Sequence, residues 1–317
     1  MKVQATRATQ AVRLRHTAGF HDSHADLVAQ LTPLVVAAAE RGEPVAAILR
    51  PVTEEALLHA LGDGIELVPL ALPDSTETCS GQTVAAQRAR ELRELTRGGT
   101  RPITVVAEHI SRFDGSDGGF WTELDAAMNV ALAELPVTLT CFFPELPLHQ
   151  SIIEGARRNH DLLLVGGRRL ENAEHRTPRE VLTEQPTSAP IVLRPPDIVL
   201  TFGAWQLHEV RAAVERAALA ADYQPDRAED VVLAVNEVAT NAVEHGGHEA
   251  ELYLWTDDAL ICEVHDQGEL SDPLPGLQPP HPADPKGRGV WIARQLCDTL
   301  HIWADGSGTH VRMKAAR

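Results

Sequence analysis

DVVLAVNEVATNAVEHGG, residues 230–247, joins a regular helical stripe to polar groups that a buried helix does not need. Val231, Val235, Val238 and Ala242 recur at intervals of four, three and four, the period of a helix laying one face on a core. Glu237, Asn241 and His245 are spaced i, i+4, i+8 and stack on another face, a carboxylate beside a carboxamide. A neutral amide oxygen suits a hard cation such as Mg²⁺, which is held by one or two protein groups plus substrate phosphates. One turn away, a glutamate can accept a proton or orient a nucleophile. The plainer reading of the same residues is a solvated polar face on an amphipathic helix.

Before this helix, Leu207–Ala221 is a second amphipathic helix, and Pro225 and Asp226 mark the turn between the two. After it, Glu251–Trp255 and Leu260–His265 read as a hairpin turning at Asp257-Asp258. The second strand delivers Asp266-Gln267-Gly268 at its end. Pro273–Pro285 holds six prolines and is expected to be a lid or a spacer. Lys286-Gly287-Arg288-Gly289 then opens a helix striped by Val290, Ala293, Leu296, Cys297 and Leu300, and a closing hairpin joins Leu300–Trp303 to Thr309–Met313. Glycines at a helix start let backbone N–H groups approach a phosphate, where the helix dipole favours the anion. A carboxylate at a strand end can accept a hydrogen bond from an exocyclic amine, which would select adenine, and Gly268 leaves room for the base. A tight turn explains either glycine pattern taken alone.

Upstream, helix-like stretches at Ala25–Arg41, Glu54–Leu61, Gln82–Leu95, Phe120–Leu135 and Leu148–Arg158 alternate with short apolar runs. Those runs are Val45–Leu49, Ile65–Leu70, Ile103–Ala107, Val137–Phe143 and Leu162–Val165. The alternation predicts a mostly parallel sheet covered by helices. No GxxxxGK[ST] and no helix-opening GxGxxG occurs there, so no phosphate loop is expected. His21 and His24 are candidate metal ligands whose plainer reading is two solvated histidines. From Gly166 the composition shifts towards Arg, Glu, Thr and Pro, and the prolines up to Pro195-Pro196 mark an interdomain linker. His175-Arg176-Thr177-Pro178 is a faint phosphoacceptor-histidine pattern without the long helical hairpin such a histidine requires.

With 317 residues the chain can build two domains. Its 45 Asp and Glu against 28 Lys and Arg give a formal charge of −17, which repels phosphate backbones and argues against nucleic-acid or anionic-membrane partners. Cys79, Cys141, Cys262 and Cys297 lack metal-ligand spacing and read as reduced, mostly buried thiols. No apolar run is long enough to span a bilayer and no signal peptide opens the sequence, so a cytoplasmic protein is expected. The first 16 residues are basic, free of acids, and read as a disordered tail.

The ordered motifs from about 199 to 317 resemble the GHKL ATPase fold in its anti-sigma-factor serine-kinase branch. LAVNEVATNAVEHGG is similar to that family's N box, HDQG to its first glycine box, GRGVWIARQLCD to its second, and GTHVRM to its closing strand. The resemblance implies ATP and Mg²⁺ as cofactors, Glu237 as general base, Asn241 as Mg²⁺ ligand and Asp266 with Gly268 at the adenine. It further implies Gly287, Arg288 and Gly289 on the phosphate side and Thr309 on the closing strand near the nucleotide. One departure is that Gly268 is followed by Glu269 and Leu270, where the family's first box continues to another glycine.

Residues from about 19 to 182 resemble the MEDS sensory domain of bacterial regulators, through Pro33-Leu34-Val35, Gly42-Glu43-Pro44, Glu108, Trp121, Met128-Asn129, Cys141-Phe142-Phe143-Pro144 and Ala156–Asp161 with His160. That family's tyrosine-bearing motif is not evident around His21. The implied architecture is an α/β two-domain chain: tail 1–16, a RecA-like, mostly parallel α/β sensory domain at 17–185, a linker at 186–198 and an α+β GHKL (Bergerat) ATPase sandwich at 199–317. The implied function is an anti-sigma factor that binds a sigma factor or phosphorylates a Ser/Thr hydroxyl on an anti-sigma antagonist, under control of an unidentified small ligand. Related kinase domains dimerise, so a homodimer is the corresponding expectation. A binding switch without turnover is the alternative, and a histidine kinase using His208 is a third reading.

Overall fold

The alternating apolar runs build a seven-stranded sheet in the computed structural model, which describes residues 13–71, 79–97, 99–110, 116–146, 148–187, 189–191, 193–247, 249–281 and 287–317. Its strands are β1 (Arg15–His21), β2 (Val45–Ile48), β3 (Leu67–Pro69), β4 (Ile103–Glu108), β5 (Val137–Pro144), β6 (Leu162–Val165) and β7 (Arg168–Glu171), in the order β3-β2-β4-β5-β1-β6-β7. Every pair is parallel except β6 with β7. Successive residues point to opposite faces, so Val105 and Val106 enter different cores. On one side, Leu27, Leu31 and Val35 of α1 (His24–Glu40) and Leu57 of α2 (Pro51–Leu61) pack with Val106 and Phe142. On the other, Ala85, Ala89 and Leu92 of α3 (Gly81–Leu95) and Leu124 of α4 (Gly118–Ala131) pack with Val105 and Leu139. Burial on both faces is why these strands are continuous apolar runs. Helices α5 (Gln150–Asn159) and α6 (Pro178–Glu184) complete this half.

One sequence boundary changes here. Arg15 and His16, assigned to the tail, begin β1, which lies between β5 and β6 inside the sheet. Polar His16 and Thr17 masked a strand that is nevertheless buried. Between Gly166 and the linker expected at 186–198 the chain forms β7 and α6. Thr177-Pro178 is the start of α6: the Thr177 hydroxyl accepts from Glu180 N while Glu180 accepts from Thr177 N, a capping box with proline at the first turn. Residues 1–12, Gly98, Lys286 and the prolines at 282 and 285 lie outside the described residues.

The second sheet is antiparallel, β11-β12-β10-β9-β8, from β8 (Ile198–Phe202), β9 (Ala250–Thr256), β10 (Leu260–Asp266), β11 (Thr299–Asp305) and β12 (Gly308–Ala315). Ile198, the last residue assigned to the linker, therefore opens a strand. Helices α7 (Leu207–Ala220), α8 (Pro225–His245) and α9 (Gly289–Leu296) share one core with the sheet. The stripe Val231, Val235, Val238 and Ala242 is buried in it. Pro225 and Asp226 belong to the first turn of α8, where a missing N–H costs nothing and an acid complements the helix dipole.

The two halves meet along a polar seam. Strand β11 is an edge, and α3 covers it: Gln82 Nε2 donates to Ile302 O at 2.9 Å, and the Thr83 hydroxyl donates to Leu300 O and accepts from Leu300 N. Arg294 on α9 is buried and donates to Gln82 Oε1 at 2.7 Å, Leu300 O and Pro275 O. The proline-rich segment is not a free lid over its described part, because Leu274 and Leu277 are buried in the N-terminal core beside α4. Between them Gly276 has φ +71° and runs so close to α9 that a Cβ would lie 2.7 Å from Trp291 N. Two leucines in an otherwise prolyl stretch thus make a strap from one domain to the other.

Candidate nucleotide site

Two groups of candidate site residues lie along helix α8. At its middle, Glu237 and Asn241 are half-buried, and neither side chain has a hydrogen bond or ion pair among the described residues. Both reach the first residue of α9: a Cβ added to Gly289 would sit 2.9 Å from Glu237 Oε2 and 3.1 Å from Asn241 Nδ2. Only glycine admits this approach, which places a helix N-terminus, with its outward N–H groups, beside the carboxylate and the amide. The sequence placed these three residues 48 or more positions apart at the extremes, and the α8–α9 packing brings them together.

The second group lies at the C-terminal end of α8, five residues and about 7.5 Å of helix beyond Asn241. Asp266, at the end of β10 and buried, accepts from Gly268 N at 2.7 Å through Oδ1, while Oδ2 has no hydrogen-bond partner among the described residues. Burial raises its pKa above the ordinary aspartate value, against the stabilising Gly268 N–H. A Cβ at Gly246 would collide with the Asp266 carboxylate, and one at Gly268 would lie 2.6 Å from Gly246 Cα. The Thr309 hydroxyl donates to Gly268 O at 2.9 Å, and Thr309 pairs with Asp266 across β10 and β12. Asp266, Gly268 and Thr309 therefore lie together in one constellation. Gly246 and Gly308 border it as well; Gly308 has φ +137° and a Cβ there would collide with Asp266 O. The sequence signal for Gly246 was its place in the EHGG end of the helix, which reads locally as a stop.

Gly287 takes φ +82° with nothing within 4 Å of a would-be Cβ, and Arg288 is the exposed N-cap residue of α9. Leu270 is partly buried against the C-terminal core. His208 is exposed on the first turn of α7, its Nδ1 2.9 Å from Trp205 O. Val210, Val214 and Ala217 pack α7 into the core of its own domain. His21 and His24 do not join a common ligand cluster among the described residues: His21 Nδ1 lies 3.2 Å from Ser23 O and His24 Nε2 3.3 Å from the Thr53 hydroxyl. No disulfide joins the four cysteines; Cys262 and Cys297 are buried and Cys79 and Cys141 half-buried. No helix among the described residues is long and apolar enough to cross a membrane.

Residues 203–315 match the family model of the histidine kinase-like ATPase domain, the GHKL type. That span contains both groups of site residues and every element from α7 to β12. No curated protein matches the chain. Among solved structures, the flagellar accessory protein FlaH from Methanocaldococcus jannaschii aligns over 53% of this chain and 82% of its own, at 11% identity and a TM-score of 0.32, a likeness on which no assignment rests.

Proposed function

We propose that the histidine kinase-like ATPase domain binds Mg·ATP and transfers a phosphoryl group to a Ser/Thr hydroxyl on a protein partner, as an anti-sigma regulator governed by the N-terminal domain. The observation that carries this reading is the convergence of Glu237, Asn241 and the α9 N-terminus at Gly289. The cradle fits a nucleotide because glycine stands at each place, 246, 268 and 289, where a Cβ would meet a site side chain. Mg²⁺, when bound, neutralises phosphate charge, and the Asn241 amide oxygen is the group that would hold it. Asp266 Oδ2 accepts from an exocyclic amine, and Thr309 holds Gly268 in register beside it. Backbone N–H groups at the start of α9 donate to phosphate oxygens. Glu237 takes the hydroxyl proton as the new bond forms, since an alcohol is far too weak an acid for a carboxylate to deprotonate it beforehand. The test is calorimetric titration with ATP, with and without Mg²⁺: metal-dependent binding supports the reading, and no binding at saturating ATP removes it.

Asp266 also sets a pH dependence. Because burial raises its pKa, its acceptor form is lost on acidification before that of an ordinary aspartate near about 3.9. ATP affinity is expected to fall as pH drops towards that raised value, and to be weak and flat with pH in Asp266→Asn. An affinity that holds constant down to the ordinary aspartate range sinks the assignment.

We read the N-terminal sheet as a RecA-like sensing domain of the MEDS type; its parallel strands with helices on both faces support this. The seam and strap are the means by which it would act on the site. Gln82 of α3 accepts from Arg294 of α9 and Gly276 runs against the same helix, whose first residue abuts Glu237 and Asn241. Arg294→Met leaves Gln82 Oε1 and Pro275 O without a donor and Leu300 O with the Thr83 hydroxyl alone, at about 1–3 kcal/mol for each buried acceptor left unpaired. Lower thermal stability together with altered ATP affinity is expected; unchanged values of both would exclude coupling through α9.

A second reading, a partner-binding switch without turnover, is favoured by one feature: Leu270 packs into the core and Leu274 and Leu277 anchor the strap, which restrains the chain over the site. It requires a defined complex with a sigma factor or antagonist and no phosphorylated product.

A further inference from the structure

Four potential ligands from distant parts of the N-terminal domain converge between its sheet and helices α4 and α5. They are His16 on β1, Asp125 on α4, Cys141 on β5 and His160 at the end of α5, with one ligand atom from each lying within 4.8 Å of all the others. His16 and His160 are 1% and 0% exposed, their rings 3.9 Å apart between centroids.

The hydrogen bonds around the histidines fix which nitrogen carries the proton. Asn129 Nδ2 donates to Asn159 O at 2.6 Å, which turns Asn129 Oδ1 towards His16 Nδ1, 2.9 Å away. An amide oxygen only accepts, so His16 Nδ1 is protonated and Nε2 presents a lone pair, 3.4 Å from Cys141 Sγ. His160 Nδ1 lies 2.7 Å from Ala156 O, another pure acceptor, so its Nε2 also carries a lone pair. That Nε2 is buried without a hydrogen-bond partner. A backbone carbonyl or amide oxygen on the far ring nitrogen is the arrangement that orients metal-ligating histidines.

We propose that the N-terminal domain holds a transition-metal ion of the Zn²⁺ class, coordinated by His16 Nε2, His160 Nε2, Cys141 Sγ and a carboxylate oxygen of Asp125. Two nitrogens, one sulfur and one oxygen suit a borderline ion and disfavour Mg²⁺ or Ca²⁺, which take oxygen ligands. Bonds of about 2.0–2.3 Å would draw the ligand atoms together by roughly 1 Å, within the reach of side-chain torsions. Asp125 and Cys141 also line a cavity of about 60 Å³ walled by His109, Trp121, Met128 and Phe143, so a small molecule has access to the ion. The site is independent of the nucleotide reading.

The test uses Co²⁺ as the probe on the full chain after removal of metal with a chelator. One equivalent of Co²⁺ is expected to give a thiolate charge-transfer band in the near ultraviolet and the strong visible bands of a four-coordinate ion, both displaced by Zn²⁺. Cys141→Ser, shown to be folded by circular dichroism, loses the charge-transfer band. Asn129→Ala keeps that band but binds about 10–100-fold more weakly, as loss of an outer-shell partner does. Zn²⁺ raises the melting temperature of the wild type and not of Cys141→Ser. Absence of stoichiometric Co²⁺ binding by the wild-type chain overturns the proposal, and so does a charge-transfer band of full intensity in Cys141→Ser.

Discussion

Replacing Asn241 by alanine abolishes the Mg²⁺-dependent part of ATP binding in a calorimetric titration, while the variant stays folded. Asn241 is half-buried on α8 and its side chain has no hydrogen bond among the described residues, so its removal leaves no internal partner stranded. Its flanking positions Val238 and Ala242 supply the core contacts, and alanine is the best helix former. A stability cost is therefore not expected. The loss falls on the ligand side: a polar contact to a charged group contributes about 1.5–3 kcal/mol, roughly tenfold to 150-fold in Kd. Metal-dependent affinity that survives in Asn241→Ala would falsify its role and shift attention to Glu237 as the ion's ligand.

Glu237→Gln separates chemistry from binding. The substitution keeps the shape that packs against Gly289 and removes only the basic oxygen. ATP affinity is expected to stay near that of the wild type, whereas release of ADP in a single turnover slows by about 10²–10⁴-fold, the range for a general base. If Glu237→Gln and Asn241→Ala lose binding equally, the division of roles between them is wrong. If the wild type itself releases no ADP with its partner present while binding Mg·ATP, the switch reading replaces the kinase reading.

These effects converge on positions whose signals were local, which is why they were legible. Glu237 and Asn241 are one turn apart on one helix, so spacing alone puts them on a common face. Asp266 and Gly268 are two residues apart and joined by their own hydrogen bond. The glycine run at 287–289 was visible, but only Gly289 is brought against the acid and amide, because the α8–α9 packing angle decides which glycine is pressed closest. Gly246 and Gly308 gain their meaning from neighbours in space, Asp266 in both cases.

By itself the sequence determined the parallel-rich α/β half, the α+β half and the helix face that carries Glu237 and Asn241. The period of the apolar residues in β2, β4, β5, α1, α7 and α8 is a local property, written wherever a strand or helix faces a core. Tertiary structure alone decided the rest. β1 carries His16 and Thr17 where an apolar run was sought, and lies inside the sheet because β5 and β6 pair with it on both sides. Leu274 and Leu277 look like loop residues until the N-terminal core is seen to receive them. Gln82, Thr83 and Arg294 are ordinary polar helix residues until β11 presents an unpaired edge to α3. His16, Asp125, Cys141 and His160 share no spacing, and only a parallel sheet with helices stacked on it gathers them in one place. Each of these depends on contacts between residues far apart in the chain, for which a periodicity leaves no mark.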